Sequence, residues 1–298
     1  MKKECHLYQK LDSGKIRCFN CAHHCLIPSG QKGICGIRKN INGKLYLLVF
    51  GRAIAENIDP IEKKPFFHFL PGSLTLSLAT VGCNFHCDNC QNWQISQFPH
   101  LERNDQKIES SGFNLPPEKV IQDALENNCP SIAYTYTEPT VFSEYALAIM
   151  KLARKAGLKN IWVSNGFQSK ELVNLIAPYL DAINIDLKSF SDKIYQKHFG
   201  GRLKPVLENL KMFRNLGVWV EVTTLVIPTI TDSEEMFQRI AKFIANDLGA
   251  ETPWHISRFS GFLSWKLSNL PETPIKKLEE AARIGQKEGL KHIYIGNV

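Results

Sequence analysis

The stretch Thr80-Val81-Gly82-Cys83-Asn84-Phe85-His86-Cys87-Asp88-Asn89-Cys90-Gln91-Asn92-Trp93 carries three cysteines in a C-x-x-x-C-x-x-C pattern. It follows an apolar run, residues 74–80, that has the composition of a buried β-strand. Thiolates are the usual protein ligands of iron–sulfur clusters, and a four-iron cubane normally takes four of them. Three thiolates on one loop, from Cys83, Cys87 and Cys90, therefore predict a [4Fe-4S] cluster with one iron open to a small molecule.

Two other interpretations of this loop have to be weighed. Three cysteines can form part of a zinc site, and a C-x-x-C pair alone can be a redox dithiol. A zinc site needs a fourth ligand, and His86 is the candidate inside the loop. We favour the cluster because independent polar motifs further along the chain agree with it.

The spacing of the three cysteines and their place after a first strand resemble the radical S-adenosylmethionine (SAM) superfamily. The flanking G-C-N-F and C-Q-N-W resemble its activating-enzyme branch, which includes pyruvate formate-lyase activating enzyme, and more narrowly the radical SAM member of the AmmeMemoRadiSam group. The resemblance implies that SAM chelates the open iron and that one electron cleaves its carbon–sulfur bond. The resulting 5′-deoxyadenosyl radical would abstract hydrogen from a protein or another substrate. The implied cofactors are a [4Fe-4S] cluster and SAM, and the implied electron donor is of the flavodoxin or ferredoxin type.

Downstream of the cysteine loop, strand-like and helical patterns alternate. Strands are expected at residues 131–137, 160–164, 182–187, 218–227, 254–257 and 292–295, and helices at 118–128, 141–156, 172–179, 206–216, 234–246 and 275–288. Such alternation predicts βαβ units and a parallel sheet. Residues 73–298 are thus expected to form an α/β domain, a partial TIM-type (β/α)6 barrel of radical SAM type. Residues 97–117 are polar and rich in helix breakers, which predicts a surface excursion near the active-site mouth.

Polar residues stand where these strands are expected to end, and barrels of this kind carry function at the carboxyl ends of their strands. The residues are Glu138, Asn165, Asp186, Lys188 and His255. In the resemblance, T-E-P corresponds to the turn that holds the SAM amino group, while S-N-G-F and D-L-K lie around its carboxylate and ribose. The histidine of P-W-H resembles a late-barrel histidine near the cofactor. Each residue alone has an ordinary structural explanation, such as a helix cap or a turn; their joint placement favours a SAM site.

Asn89 departs from the pattern of the superfamily. The residue before the third cysteine is commonly aromatic there and lies beside the adenine. Asparagine can hydrogen-bond an adenine edge but lacks the flat apolar surface. Phe85, Trp93 or apolar residues late in the barrel are the alternatives for that contact.

Residues 1–72 are expected to form a small cysteine-rich N-terminal module with a connector to the barrel. Cys18, Cys21, Cys25 and Cys35 lie in loops that cannot bury a core of their own, which suggests a metal staple. Zinc and a second iron–sulfur cluster both remain open, and unligated buried thiols are the third alternative. The connector sequence D-P-I-E-K-K-P is similar to the family pattern and is expected to pack near the cluster.

Cysteine content, hydropathy and charge limit the expected cellular location of the protein and its expected partners. Nine cysteines, an odd number in metal-like spacings, favour a reducing compartment. No segment reaches the ~18 apolar residues of a membrane span, and residues 1–15 lack the apolar core of a signal peptide. We therefore expect a cytoplasmic protein without a membrane partner. The net charge of +7 shows no long run of one sign, so nucleic acid is not an expected partner.

The resemblance leaves a choice of function. A protein substrate or a Memo-like partner follows from the AmmeMemoRadiSam group. A narrower alternative is an activase of a glycyl-radical enzyme, which the long N-terminal region disfavours. A zinc-ribbon nucleic-acid adaptor is the non-enzymatic alternative, and it rests on the N-terminal cysteines and on a sequence pI of about 8.9.

Overall fold

The computed structural model describes residues 2–298, in which four sheets and ten α-helices are found. The strands are β1 (Lys3–Glu4), β2 (Tyr8–Lys10), β3 (Ile16–Cys18), β4 (Leu26–Ile27), β5 (Arg38–Ile41), β6 (Lys44–Leu47), β7 (Arg52–Ala53), β8 (Ala55–Pro60), β9 (Leu74–Ala79), β10 (Phe113–Asn114), β11 (Ser131–Tyr134), β12 (Lys159–Ser164), β13 (Ala182–Asp186), β14 (Trp219–Val226), β15 (Trp254–Arg258) and β16 (Ile293–Gly296). The helices are α1 (Trp93–Ser96), α2 (Phe98–Glu102), α3 (Asp105–Glu109), α4 (Pro117–Glu126), α5 (Ser143–Lys155), α6 (Lys170–Ile176), α7 (Asp192–Ile194), α8 (Leu203–Asn215), α9 (Glu234–Phe243) and α10 (Ile275–Lys287).

The largest sheet has eight strands in the order β16-β15-β14-β13-β12-β11-β9-β8. From β9 to β16 every neighbouring pair in this sheet is parallel, and β8 pairs antiparallel with β9 at one edge. The predicted α/β fold with a mostly parallel sheet is confirmed. The sheet has one parallel strand more than a (β/α)6 barrel, because the strand expected at residues 292–295 pairs with β15 as β16. It also includes β8, which lies within the 1–72 segment; the division of the chain at residue 72 stays a prediction.

The connector after β8 fills the interior of the barrel near the amino-terminal ends of the strands. Ile61 and Phe66 are buried there against Ala133, Ile161 and Ala182. The inward-facing residues of these three strands are small or branched, which leaves space that the connector occupies. The connector therefore forms an apolar floor beneath the carboxyl-terminal end of the barrel.

A buried carboxylate pins this floor to the sheet. Glu221 of β14 accepts hydrogen bonds from the backbone N–H groups of Phe67 (3.1 Å) and His68 (3.0 Å) and from Trp219 Nε1 (3.0 Å). Its Oε2 also lies 2.6 Å from His255 Nε2. Burial disfavours the charged form, but these donors together hold the pKa of Glu221 below its usual value.

Replacing Glu221 with alanine is expected to destabilise the fold by more than about 3 kcal/mol, because several buried donors lose their acceptor and each costs about 1–3 kcal/mol when unsatisfied. Urea unfolding followed by circular dichroism measures the loss. Glu208→Ala, at a more exposed glutamate of α8, is the control. Equal midpoints for the two variants would contradict a pinned floor.

The contribution of the Glu221 carboxylate to the stability of the fold depends on pH. Because its pKa is lowered in the fold, its stabilisation is fully present above the unfolded pKa of about 4.3. It is lost as pH falls through the folded value. Glu221→Gln should therefore show a weaker loss of stability below pH 4 than the wild type.

The N-terminal segment folds into small antiparallel sheets that pack onto the barrel. Two of them have three strands, in the orders β1-β6-β5 and β2-β3-β4, and β7 pairs with β10. The guanidinium of Arg38 is buried and donates to Glu144 Oε1 (3.0 Å) at the start of α5. Further donations reach Ser143 Oγ (2.9 Å) and Val141 O (3.1 Å). A buried ion pair thus anchors the N-terminal segment to the helix that follows β11.

Residues 97–117 were expected to be a surface excursion, and most of them are exposed or partly exposed. They contain α2, α3 and β10, and Pro99 and Ile108 are buried. A Cβ on Gly36 would lie 2.6 Å from Pro99 Cβ, so this segment packs tightly on the N-terminal sheets. Within residues 2–298, none of the helices combines the length and apolarity needed to cross a bilayer.

Candidate active site

A cavity of about 350 Å³ lies at the carboxyl ends of the parallel strands. Its volume falls in the range of small-molecule binding sites. Seven of the eight residues predicted to hold the cluster or SAM line it: Cys83, Cys87, Cys90, Glu138, Asn165, Asp186 and Lys188. Because the carboxyl ends of the parallel strands meet at one edge of the sheet, residues separated by more than 100 positions lie in one site.

The cysteine loop follows β9 and is fixed from two sides. On one side, His86 N donates to Phe199 O (3.0 Å) and Asp88 N donates to His198 O (2.9 Å). On the other, Trp265 N donates to Cys90 O (3.1 Å). Phe85 is buried, and a Cβ on Gly201 would lie 2.3 Å from its ring, so only glycine permits this packing. The three thiols are held on a preformed loop.

The thiols of Cys83 and Cys87 are buried in an environment that disfavours their charged form. Burial raises the pKa of Cys83 well above its usual value, and the neighbouring Glu138 charge adds to this. Burial also raises the pKa of Cys87 to about 12, against the opposing effect of Lys188. Without a metal these thiols would stay protonated at neutral pH, and coordination to iron would deprotonate them.

The arrangement of the side chains favours an iron–sulfur cluster over a single metal ion. Within residues 2–298, no three His, Cys, Asp or Glu side chains converge closely enough to hold one metal ion. A tetrahedral zinc ion needs its ligands about 2.3 Å from one point, whereas a cluster is bound through several irons at different corners. The three cavity-lining thiols thus fit a [4Fe-4S] cluster better than zinc.

Glu138 and Asn165 form one hydrogen-bonded unit. Glu138 Oε1 accepts from Thr140 N (3.1 Å) and Ser164 Oγ (2.8 Å), and Oε2 accepts from Asn165 N (2.8 Å). Burial raises the pKa of Glu138, and these donors oppose part of the rise. A carboxylate oxygen has two acceptor directions, so Oε2 can accept a further donor, such as the amino group of an amino acid.

Asp186, the last residue of β13, and Lys188 form an ion pair at the end of the strand next to β12. Lys188 Nζ donates to Asp186 Oδ2 at 2.8 Å, and the Lys188 side chain is 15% exposed. Burial disfavours the charged ammonium, but the charge of Asp186 raises the pKa of Lys188 above its usual value. The ammonium therefore remains charged beside the cysteine loop, where it can pair with a carboxylate.

Asn89 lines the same cavity, and its Oδ1 is buried without a hydrogen-bond partner among the described residues. Buried acceptors are nearly always paired in folded proteins. An unpaired one inside a cavity is suited to receive an N–H group of a ligand. The SAM adenine carries such a group, so the residues of this cavity fit both the cluster and SAM.

The structure does not place His255 at the cavity wall, and its contact with the cofactor stays a prediction. His255 is not among the residues that line the cavity; its ring packs against Phe67 and Tyr294, and its Nε2 faces Glu221. The reason is its position as the second residue of β15, near the beginning of the strand. Ser257, two residues later on the same face, lines the cavity instead.

Lys64 and Tyr136 are cavity residues that sequence reasoning missed. Lys64 is buried, pairs with Asp59 (2.8 Å) and lies 4.1 Å from the centre of the Tyr136 ring. Tyr136 has a φ of 60°, and its hydroxyl donates to Asp59 Oδ2 (2.6 Å). A left-handed tyrosine is strained and persists where surrounding contacts hold it. The D-P-I-E-K-K-P motif was the available signal, since its resemblance had placed it near the cluster.

The four N-terminal cysteines do not join this cavity. Cys18, Cys21, Cys25 and Cys35 line a separate small cavity together with Asn20 and Arg38. The two sets of thiols are therefore distinct sites.

The sequence of this chain is similar to a known protein family and to individual proteins. The profile of the Radical SAM superfamily matches residues 77–244. The uncharacterized protein MJ0808 of Methanocaldococcus jannaschii is 44% identical over 296 residues, which cover 99% of this chain and 85% of that protein. The pyruvate formate-lyase-activating enzyme of Clostridium pasteurianum is 22% identical over 187 residues, 58% of this chain and 72% of that protein.

Among solved structures, the crystal structure of Streptococcus suis SuiB bound to the precursor peptide SuiA has a TM-score of 0.57 to this chain at 14% identity. The match covers 80% of this chain and 51% of SuiB. At this identity the likeness concerns the fold alone.

Proposed function

Because this chain belongs to the radical SAM superfamily, we propose that it is an activating-type enzyme whose substrate is a protein. Members of the superfamily use a [4Fe-4S] cluster and SAM, which together supply a 5′-deoxyadenosyl radical that abstracts hydrogen. One observation carries the proposal: three thiols, a buried carboxylate and a charged ammonium surround one cavity at the carboxyl ends of the strands.

Different residues of the cavity would hold the cluster and SAM. Cys83, Cys87 and Cys90 would bind three irons of the cluster and leave the fourth for SAM. Glu138 Oε2 would accept from the SAM amino group, and Lys188 would pair with the SAM carboxylate. Asn89 Oδ1 would accept from the adenine amino group. Asn165 and Asp186 would position these partners through the hydrogen bonds they already make.

The remaining task of the chain is to protect a reactive intermediate from water and from stray hydrogen donors. The apolar side chains of Phe85, Val163, Leu225 and Ile227 line part of the cavity. The connector closes the barrel below it, with Pro65 at the cavity wall. These side chains and the connector therefore shield the lower part of the cavity.

Residues at this end that are not needed for SAM would meet the substrate. Lys63, Lys64 and Tyr136 line the cavity and come from the connector and the end of β11. A protein substrate is supported by the relative named pyruvate formate-lyase-activating enzyme, whose name states that it acts on another enzyme. Within the superfamily we propose the AmmeMemoRadiSam group, on the sequences that flank the cysteines, and with it a Memo-like partner.

Deuterium transfer tests the nature of the substrate. Uniformly deuterated Memo-like protein, incubated with the reduced holoenzyme and unlabelled SAM, should place deuterium in 5′-deoxyadenosine, as detected by mass spectrometry. A glycyl-radical enzyme that carries deuterium only in its glycines is the parallel sample. Label from that glycine would replace our proposal with the activase alternative. Unlabelled product with both proteins would contradict a protein substrate of either kind.

A cationic depression beside the cysteine loop supports docking of an acidic electron donor of the flavodoxin or ferredoxin type. It is lined by Lys193, Lys197, His198 and Lys266, and the three lysines are exposed. His198 and Lys266 both contact Asp88 of the cysteine loop, at 3.1 and 3.2 Å. A donor held there would lie directly against the backbone that carries Cys87 and Cys90.

We also propose a reducing compartment, the cytoplasm, as the place of this activity. All nine cysteines are free thiols. Two groups of them line cavities, where pairing as disulfides would remove the proposed ligands.

A further inference from the structure

A buried hydroxyl lies beside one of the three thiols of the cysteine loop. Ser96, the last residue of α1, is 2% exposed, and its Oγ lies 3.3 Å from Cys90 Sγ. Both residues line the cavity at the carboxyl ends of the strands. In a free thiol either atom can be the donor, but a thiolate bound to iron has no hydrogen to give. With Cys90 as a ligand, the hydroxyl of Ser96 is therefore the donor.

The backbone of α1 holds this hydroxyl in place. Ser96 N donates to Asn92 O (2.9 Å), and Asn92 Nδ2 donates to Tyr136 O (2.8 Å) just after β11. Gly82 N, at the start of the cysteine loop, donates to Ile95 O (3.1 Å). The short helix is thus tied both to the barrel and to the loop that it follows.

Gln97 determines the direction of the hydrogen bond. Its Nε2 lies 3.1 Å from Phe85 O and 3.2 Å from Ser96 Oγ, and its Oε1 lies 2.6 Å from His86 Nδ1. Because a backbone carbonyl can only accept, Nε2 must face Phe85, and His86 must then donate to Oε1. The second N–H of Gln97 donates to the Ser96 oxygen, which leaves the hydroxyl hydrogen for Cys90.

The other two thiols of the loop have different neighbours. Cys83 Sγ accepts from the backbone N–H of Phe85 (3.4 Å), a donor that remains whatever side chain is substituted. Cys87 Sγ lies 4.0 Å from Phe199 O, and a carbonyl oxygen cannot donate to a thiolate. Ser96 is thus a donor to a proposed cluster ligand that a single substitution can remove.

We propose that the hydroxyl of Ser96 donates a hydrogen bond to the Cys90 thiolate and thereby raises the reduction potential of the cluster. The inference rests on the proposed binding of the cluster by Cys90. One electron from the donor protein adds negative charge, which the thiolates share. A hydrogen bond stabilises the more negative state more strongly, and hydrogen bonds to sulfur are among the features that set these potentials. Ser96 acts through Cys90 and is therefore a positioning residue.

A redox titration of the reconstituted full chain, without SAM and followed by electron paramagnetic resonance, tests the proposal. Ser96→Ala removes the donor. At a fixed solution potential the ratio of reduced to oxidised cluster should then fall about 10-fold, which corresponds to a midpoint about 59 mV more negative for a one-electron couple. Iron content is measured on the same samples.

Two further variants separate the hydrogen bond from packing. Ser131→Ala is the matched control, because this serine is buried, its hydroxyl has no hydrogen-bond partner in the part of the chain that the structure describes, and it does not line the cavity. It should keep the wild-type potential. Ser96→Thr keeps a hydroxyl and should also keep that potential. A shift in Ser96→Thr as large as in Ser96→Ala would trace the effect to packing and overturn the proposal.

The hydroxyl hydrogen gives a second readout because it exchanges with solvent. Electron–nuclear double resonance of the reduced cluster in D2O should show a coupled deuteron in the wild type that is missing in Ser96→Ala. Identical potentials and identical deuteron spectra in these two proteins would overturn the role of Ser96. SAM cleavage by the wild type would then still stand, so the proposed function would be unaffected. A wild-type protein that holds no cluster would instead contradict the proposed function, and this inference with it.

Discussion

Alanine at Cys83, Cys87 or Cys90 is expected to abolish SAM cleavage, with a loss of more than about 100-fold, because even residues that only orient metal ligands affect activity by 10- to 100-fold. Each thiol lines the cavity, and each would bind one iron. Removing one leaves a second iron without a protein ligand, so the cluster is lost or binds SAM in the wrong place. Iron content and 5′-deoxyadenosine formation are measured on the same anaerobic samples.

Cys129→Ala is the control for this series. Cys129 is buried and free, and it lines neither thiol cavity. The control should keep its iron and its activity. Full activity in any one of the three loop variants would show that the thiol in question is not a ligand.

The second large effect is expected on SAM affinity. Lys188→Met keeps the length of the side chain but removes the charge that would pair with the SAM carboxylate. A hydrogen bond to a charged group contributes about 1.5–3 kcal/mol, so the Kd for SAM should rise about 10- to 100-fold while the iron content is unchanged. Equilibrium dialysis of the reconstituted protein measures the change.

Three further variants separate SAM contacts from general damage. Glu138→Gln should weaken binding because a neutral amide cannot pair with an ammonium, and its thermal unfolding is followed because Glu138 also anchors Asn165. Asn89→Leu, which removes an unpaired acceptor, should weaken binding about 5-fold, in line with about 1 kcal/mol for a neutral hydrogen bond. Lys204→Met, at a lysine whose side chain is 85% exposed, is the control. Unchanged affinity in Lys188→Met would remove this residue from the SAM site.

The site residues that could be predicted are those that follow a strand recognisable from the local sequence. Glu138, Asn165 and Lys188 follow strands whose apolar composition is plain, and parallel strands carry their ends to one edge of the sheet. His255 is the second residue of β15 and lies inside the expected strand 254–257, so it does not follow a strand end as the other residues do.

Long-range contacts account for what could not be predicted. Lys64 enters the cavity because the connector turns back into the barrel, which depends on Glu221, more than 150 positions away, accepting from Phe67 and His68. Arg38 is buried because Glu144 meets it across 106 positions. Hydrophobic periodicity in the sequence does not indicate such pairs, because each charged partner taken alone is of a type usually found at the surface.

The most direct test is the conversion of SAM by the anaerobically reconstituted wild-type protein with a strong reductant such as dithionite. Formation of 5′-deoxyadenosine and methionine in equal amounts, lost in Cys83→Ala and slowed in Lys188→Met at limiting SAM, is the expected result. The two products are quantified by liquid chromatography with mass spectrometry. A protein that binds iron at the Cys83 loop but yields no 5′-deoxyadenosine under any reducing condition would contradict radical SAM catalysis by this chain.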